Sequence, residues 1–126
     1  MRIIRVILAD DQAEVRSGLK LLLEQEPDLA VTGEAADSAC LLALAARAEA
    51  DVVLLDWELP RAGALPLIPA LRTRRPNLRV LALSGRPEAR KAALAAGADA
   101  FVSKGDNPAR LLSVLREVAY GCARGD

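Results

Sequence analysis

The chain contains no histidine, two cysteines and a single tryptophan, tyrosine and phenylalanine among its 126 residues, and each shortage removes a class of chemistry. Without histidine there is no Ser-His-Asp triad, no His-bearing zinc site and no imidazole general base within the chain, and two cysteines alone cannot close a tetrahedral thiolate site. Cys40 lies in an Ala/Leu-rich stretch and Cys122 near the end, and with nothing pointing to secretion a disulfide is not expected. Lys and Arg (17) do not outnumber Asp and Glu (17). That balance argues against a free-standing nucleic-acid binder, because neutralising phosphates takes a surplus of positive side chains on one face. Long apolar runs are missing too: Val52 to Leu55 and Leu41 to Ala46 fall far short of the ~20 residues that span a bilayer. Met1-Arg2-Ile3-Ile4-Arg5-Val6 meets Asp10-Asp11 before a signal-peptide core can form. A cytoplasmic location without membrane attachment is the expectation.

What the chain does have is apolar side chains, 52% of the total, enough at this length for one domain with its own core. Five short runs have the apolar, β-branched character of buried strands: Ile3 to Ala9, Leu29 to Thr32, Asp51 to Leu55, Leu78 to Leu83 and Ala100 to Ser103. They begin roughly 20 to 27 residues apart, room for a helical crossover each time. Between them stand helix-period sets: Val15, Leu19, Leu22 and Leu23; Leu41, Leu42, Ala45 and Ala46; Leu65, Ile68 and Leu71; Ala89, Ala92, Ala93 and Ala96; and Leu111, Leu112, Leu115 and Val118. Pro27 closes the first helix, Asp37 caps the second, and Asp106 or Asn107 precedes Pro108 at the start of the last. Pro66 and Pro69 lack amide hydrogens, so they belong in a first turn, which starts the third helix near Leu65. The pattern predicts an α/β fold, (βα)5, with a doubly wound, five-stranded parallel sheet.

In such a sheet, ligands bind beyond the carboxyl ends of the strands, where the strand order reverses. The first strand runs into Asp10-Asp11, the third into Asp56-Trp57-Glu58, the fourth into Ser84-Gly85 and the fifth into Ser103-Lys104-Gly105. With the order 2-1-3-4-5, three aspartates converge beside a lysine and a hydroxyl. Carboxylates so close repel, and a raised pKa or a bound divalent cation relieves them. An all-oxygen set suits Mg²⁺. One aspartate then serves as nucleophile towards an activated phosphoryl group, with metal and lysine neutralising the oxygens that gain charge. Taken singly, each position has a plain structural reading: Asp10-Asp11 as a helix cap, Asp56 as a turn residue before Pro60, Ser84 as a turn former, Lys104 as a solvated side chain. Their occurrence at four strand ends in complementary order carries the weight.

From residue 3 to about residue 119 the chain resembles the receiver domains of two-component response regulators. Val6-Ile7-Leu8-Ala9-Asp10-Asp11 looks like the family's first strand and acidic pair, and Val53-Leu54-Leu55-Asp56-Trp57-Glu58-Leu59-Pro60 like its phospho-acceptor strand. Leu83-Ser84-Gly85 looks like the switch hydroxyl position, and Phe101-Val102-Ser103-Lys104 like the switch aromatic and the lysine. The resemblance implies a flavodoxin-like (CheY-like) fold, with residues 1–120 as receiver domain and 121–126 as tail or start of a linker. It implies that Asp56 accepts a phosphoryl group from a phosphohistidine on a sensor histidine kinase, or from a small donor such as acetyl phosphate. Asp11, Asp56 and the backbone carbonyl of Glu58 would bind Mg²⁺ directly, and Asp10 largely through metal-bound water. Lys104 and Ser84 would contact the phosphoryl oxygens, and movement of Ser84 would vacate space into which Phe101 turns. Such a domain is a signalling phospho-acceptor that catalyses only its own phosphorylation and dephosphorylation. Glu58 adds a carboxylate at the cleft mouth, positioned to influence the water that hydrolyses the phosphoaspartate.

Departures from the family pattern are Gly105 where proline commonly follows the lysine, the loop Arg61-Ala62-Gly63-Ala64-Leu65, and the two prolines of the third helix. Glu14-Val15-Arg16-Ser17-Gly18-Leu19, with Val31-Thr32-Gly33-Glu34-Ala35, looks most like NarL/FixJ (LuxR-like) regulators, which append a helix-turn-helix DNA-binding domain. Only about seven residues follow the last predicted helix, too few for such a unit. The chain therefore reads either as the receiver part of a transcription regulator, contacting DNA through an output domain outside this sequence, or as a stand-alone receiver working by protein contact. Homodimerisation upon phosphorylation is expected, through the first and fifth helices. The Arg72, Arg74, Arg75 and Arg79 cluster reads as a solvated rim. Two other classes compete: a pseudo-receiver that binds partners without being phosphorylated, disfavoured by the intact acidic set, and a flavodoxin-like nucleotide or FMN binder. The latter is disfavoured because Asp10-Asp11-Gln12-Ala13 lacks a glycine-rich cradle and would repel phosphate.

Overall fold

A computed structural model describes residues 2–60 and 66–121. Its elements run β1 (Ile4–Ala9), α1 (Ala13–Glu24), β2 (Leu29–Ala35), α2 (Ser38–Arg47), β3 (Val52–Asp56), α3 (Leu67–Arg74), β4 (Arg79–Ser84), α4 (Arg90–Ala95), β5 (Ala100–Ser103) and α5 (Pro108–Ala119), with a 3-10 turn at Pro87–Ala89 leading into α4. All strand pairs are parallel and the order is β2-β1-β3-β4-β5, as the alternation predicts. The reversal of strand order therefore lies between β1 and β3. Among the described residues no helix is long and apolar enough to cross a membrane.

Alternate side chains of the sheet feed two core layers, as the period of two requires. Ile7, Val53, Leu55, Val80, Ala82 and Phe101 pack towards α2, α3 and α4 with Leu41, Ile68, Leu71 and Ala93. Val6, Leu8, Leu54, Leu81, Leu83 and Val102 pack towards α1 and α5 with Leu23, Leu111, Leu115 and Val118. Each fully buried Leu or Ile contributes about 1.5–3 kcal/mol over an exposed one. The central strand β3 is buried along its whole length, and that includes Asp56 at its end.

The caps behave as the sequence predicts: Asp37 accepts from the Cys40 amide, and Asn107 accepts from the Ala109 amide with Pro108 behind it. Four expectations need correction. β2 runs to Ala35 instead of Thr32, because it is an edge strand whose Thr32 and Glu34 face solvent between half-buried positions. On α2, Leu44 is buried and Ala46 exposed. On α4, Ala93 is buried while Ala92 and Ala96 are exposed, since so short a helix shows the sheet a narrow stripe. The third helix begins at Leu67 with Pro66 as its N-cap, which leaves Pro69 inside the first turn as its missing amide demands; Leu65 and the loop at 61–65 lie outside the described residues, as does Cys122.

Arg72 in α3 and Arg75 at its C-cap are more than a rim. Arg75 donates to the carbonyls of Ala45 and Ala48 at the end of α2, and Arg72 donates to Gly97 O and Asp99 beyond α4. Arg75 thus meets carbonyls at a helix end, where intrahelical partners run out, and Arg72 joins a carbonyl of the turn after α4 to a carboxylate. Arg116 of α5 similarly binds Asp28 and Glu26 in the turn before β2.

Candidate functional site

Four strands deliver the predicted residues to one edge. Ladder bonding continues just past the strand ends: Asp10 N donates to Ala35 O (3.0 Å), Trp57 N to Leu83 O (2.7 Å) and Lys104 N to Ser84 O (2.8 Å). The backbone at each functional position is thereby fixed by its neighbour strand, and the side chains project from a rigid platform. Asp10, Asp11 and Asp56 each bring a carboxylate oxygen within 4.8 Å of the others. Asp10 and Asp56 are buried, and Asp11 is exposed at the mouth.

Each buried acid has donors. Asp10 Oδ1 accepts from the Gln12 amide at 2.9 Å, and its Oδ2 receives Lys104 Nζ at 3.1 Å. Arg16, one turn into α1, donates to the Asp10 carbonyl at 2.6 Å and to Glu34 Oε1 at 3.2 Å, tying the β1–α1 turn to β2. Asp56 Oδ1 accepts from the Glu58 amide at 3.1 Å and lies 3.4 Å from Lys104 Nζ; both contacts fall on Oδ1. No buried side-chain nitrogen or oxygen among the described residues lacks a partner.

Burial pushes the Asp56 carboxyl above the ordinary carboxylate range, and the charge of Asp10 adds to this; the Glu58 amide and Lys104 pull the other way without cancelling it. Burial pulls the Lys104 ammonium down, but its hydrogen bond to Asp10 and the charges of Asp56 and Asp10 outweigh that, and it is held above the usual lysine range. The pocket thus contains a firmly charged cation and an acid that is costly to keep ionised, three carboxylates against one ammonium. An all-oxygen donor set with surplus negative charge fits a small hard divalent cation.

Ser84 lies apart from that trio. Its hydroxyl is fully buried and reaches the Glu58 carboxylate, 3.0 Å from Oε1 and 2.9 Å from Oε2, while accepting from the Arg86 amide at 3.0 Å. The Arg86 guanidinium closes on Glu58 Oε2 at 3.1 Å. The Glu58 carboxylate therefore faces β4, and only its backbone is turned to the acidic trio. Phe101 is 5% exposed, packed within the layer that holds Ala82, Ala89 and Ala93, so in this conformation the ring is already inside. The Lys104–Gly105 peptide is trans. Strand order brings Asp10, Asp11, Asp56 and Lys104 together as expected, but it does not disclose the Ser84–Glu58–Arg86 contact or the Arg16 clamp, both of which join residues by side-chain conformation rather than by strand position.

Fold and pocket together define a doubly wound α/β domain with a charged phosphate- or cation-type pocket at its topological switch point. The family model described as the response regulator receiver domain matches residues 6–116, and the chain belongs to that family. It is 32% identical over 120 residues to the uncharacterized transcriptional regulatory protein YxjL of Bacillus subtilis (strain 168), covering 94% of this chain and 55% of that protein. It is 32% identical over 118 residues to the nitrate/nitrite response regulator protein NarL of Escherichia coli (strain K12), covering 92% of this chain and 55% of that protein. A crystal structure of a LuxR-family two-component response regulator from Aurantimonas sp. SI85-9A1 superposes with a TM-score of 0.87 at 30% identity, over 97% of this chain and 89% of that one. The chain spans just over half the length of these curated relatives. It is a receiver domain of the NarL/LuxR type of two-component response regulator.

Proposed function

We propose that Asp56 is the phosphoryl acceptor of this receiver, and that Asp10, Asp11, Ser84 and Lys104 are its working partners. The observation that carries this is a buried carboxylate at the end of the central strand, crowded by two more and with an ammonium at 3.4 Å. In the reaction an Asp56 oxygen forms a bond to phosphorus as the P–N bond of a kinase phosphohistidine breaks and the imidazole leaves. The absence of histidine from this chain fits that division of labour, since the donor histidine comes from the partner.

Asp11, Asp56 and the Glu58 backbone carbonyl would hold Mg²⁺, with Asp10 acting through bound water. The cation supplies positive charge to the oxygens that gain negative charge in transfer. Lys104, held in place by Asp10, provides the same service from the other side. The acyl phosphate adds roughly −1.5 to −2 charges, by analogy with other phosphoryl groups, and draws Lys104 and the Ser84 hydroxyl towards it. That movement, made beside a Phe101 ring that is already buried, alters the surface around α4, β5 and α5. In the longer protein, the proposed readout is homodimerisation and DNA contact through an output domain, as suits a NarL-type transcription regulator of the cytoplasm; a stand-alone receiver acting by protein contact is the second reading. Residues 1–120 form the receiver on this view, and 121–126 a C-terminal tail or the start of a linker.

Incubation with Mg²⁺ and phosphoramidate or acetyl phosphate should add the mass of one phosphoryl group, labile to hydroxylamine, and Asp56→Asn should abolish it. An unchanged mass with both donors would sink the assignment.

A further inference from the structure

The Ser84 hydroxyl has one hydrogen to give, and in this structure Glu58 takes it. Both oxygens of that carboxylate lie within 3.0 Å of Ser84 Oγ. The arrangement is held from a third side: Arg86 donates its amide to Ser84 Oγ at 3.0 Å and its guanidinium to Glu58 Oε2 at 3.1 Å. Ser84 is fully buried, so its hydroxyl cannot turn to bulk water, and an O–H to carboxylate bond is of the stronger, charge-assisted kind. Asp56 lies at the start of the same short segment, and the Glu58 amide binds Asp56 Oδ1 at 3.1 Å. The residue whose backbone supports the acceptor is therefore the one whose side chain occupies the switch hydroxyl.

We propose that Glu58 is a positioning residue that acts through Ser84, holding the hydroxyl on the resting side so that an anion on Asp56 must displace the Glu58 carboxylate before Ser84 can bind it. The inference rests on the assignment of Asp56 and Ser84 made above and adds the competitor. A phosphoryl group and the Glu58 carboxylate are both anionic acceptors, and a single donor cannot serve both. Arg86 sets the strength of the hold. Paired with Glu58, it keeps the carboxylate over Ser84; its side chain is 59% exposed and that of Glu58 41%, so the pair is weak enough to open. Switching here is an exchange of one acceptor for another, with the released Glu58 and Arg86 turning to solvent.

A competing explanation is plain repulsion: any negative side chain at the pocket mouth weakens binding of an anion, whether or not it touches Ser84. A double-mutant cycle separates the two. The probe is beryllofluoride with Mg²⁺, and the signal is the fluorescence of Trp57, the single tryptophan, next to Asp56. Glu58→Ala should bind the probe about 3- to 10-fold more tightly than wild type, the range of an ordinary net hydrogen bond, because solvent at a half-exposed carboxylate screens the charge assistance. In a Ser84→Ala background the same Glu58→Ala change should have less than about a 2-fold effect, because the contact it relieves no longer exists. Glu58→Gln, which keeps an acceptor but loses the charge, should fall between wild type and Glu58→Ala. Equal tightening in both backgrounds would assign the effect to repulsion and overturn the proposal, as would no tightening in either. If wild type and all variants, with melting temperatures showing them folded, fail to bind the probe, the assignment of Asp56 itself falls and the positioning role with it.

Discussion

Neutralising Asp56 should make the metal-free protein more stable. Three carboxylates have oxygens within 4.8 Å of one another, and at an effective dielectric of about 20 each such pair repels by about 3 kcal/mol. Lys104, 3.4 Å from Asp56 and 3.1 Å from Asp10, offsets this by about 5 kcal/mol at each contact on the same scale. These attractions are opposed by the cost of burying the ions, and the direction of the Asp56 shift states the outcome: burial and the charge of Asp10 outweigh the Glu58 amide and Lys104, and the acid is held above its ordinary value. The charged form of Asp56 is thus worse off in the folded chain than in the unfolded one. Asp56→Asn keeps the shape and an acceptor for the Glu58 amide while removing that charge. The expected gain is about 1 kcal/mol, of the size seen when strained functional sites are relieved, or about 3–5 °C in melting temperature for a domain of this length. The sign with pH follows by linkage: both states are protonated well below 3.8, so the gap between variant and wild type should be absent there. It should open as pH rises above 3.8 and be complete once pH has passed the raised folded pKa. Saturating Mg²⁺ should reverse the order, because a cation present at 100 times its dissociation constant stabilises wild type by about 3 kcal/mol and the variant by much less. Urea denaturation followed by circular dichroism, in chelator and in Mg²⁺ across pH 4–8, tests this. A variant less stable than wild type in chelator at neutral pH would refute the reasoning.

Two further predictions concern the frame around the site. Arg116→Ala removes contacts of 2.7–2.9 Å to Glu26 and Asp28 and should cost about 1 kcal/mol, discounted because the guanidinium is one-third exposed. The hydrogen bond from Arg116 holds the Asp28 carboxyl below its ordinary value of 3.8, so this contribution is present above that value and lost as pH falls through the lower, folded one; urea titrations of the two proteins should converge in acid, and parallel loss at all pH values would contradict it. Gly33→Ala places a Cβ 2.6 Å from Leu44 Cδ2 and 3.1 Å from its Cγ, against a side chain packed in the core. It should cost about 1–3 kcal/mol, and an unchanged melting temperature would show that Leu44 can move aside freely.

The strand-end residues were legible because topology alone places them. Once βα alternation implies a parallel sheet with β1 beside β3, Asp10 and Asp56 must share an edge whatever their side chains do, and the same logic brings Ser84 and Lys104 alongside. Burial along a helix is a different kind of fact. Leu44 rather than Ala46 is buried on α2 because the bare backbone of Gly33 on the facing strand leaves room for a large side chain there, and no count along the helix shows what the opposite strand lacks. Arg75 and Arg72 look like a solvated cluster in one dimension, and find the open carbonyls of α2 and the turn after α4 only when the helices stand side by side. Glu58 is the sharpest case. Two residues after Asp56, the proposed acceptor, it has equal claim, by position, to face the acidic trio or solvent; what decides is that Ser84 carries a buried hydroxyl needing a hydrogen-bond acceptor and Arg86 sits beyond it to hold that carboxylate in place. The demand of a buried donor for a partner, rather than proximity in sequence, assigns the side chain, and it does so across 26 residues of chain. A site whose membership follows from strand order can therefore have a resting state set by a contact that strand order does not specify.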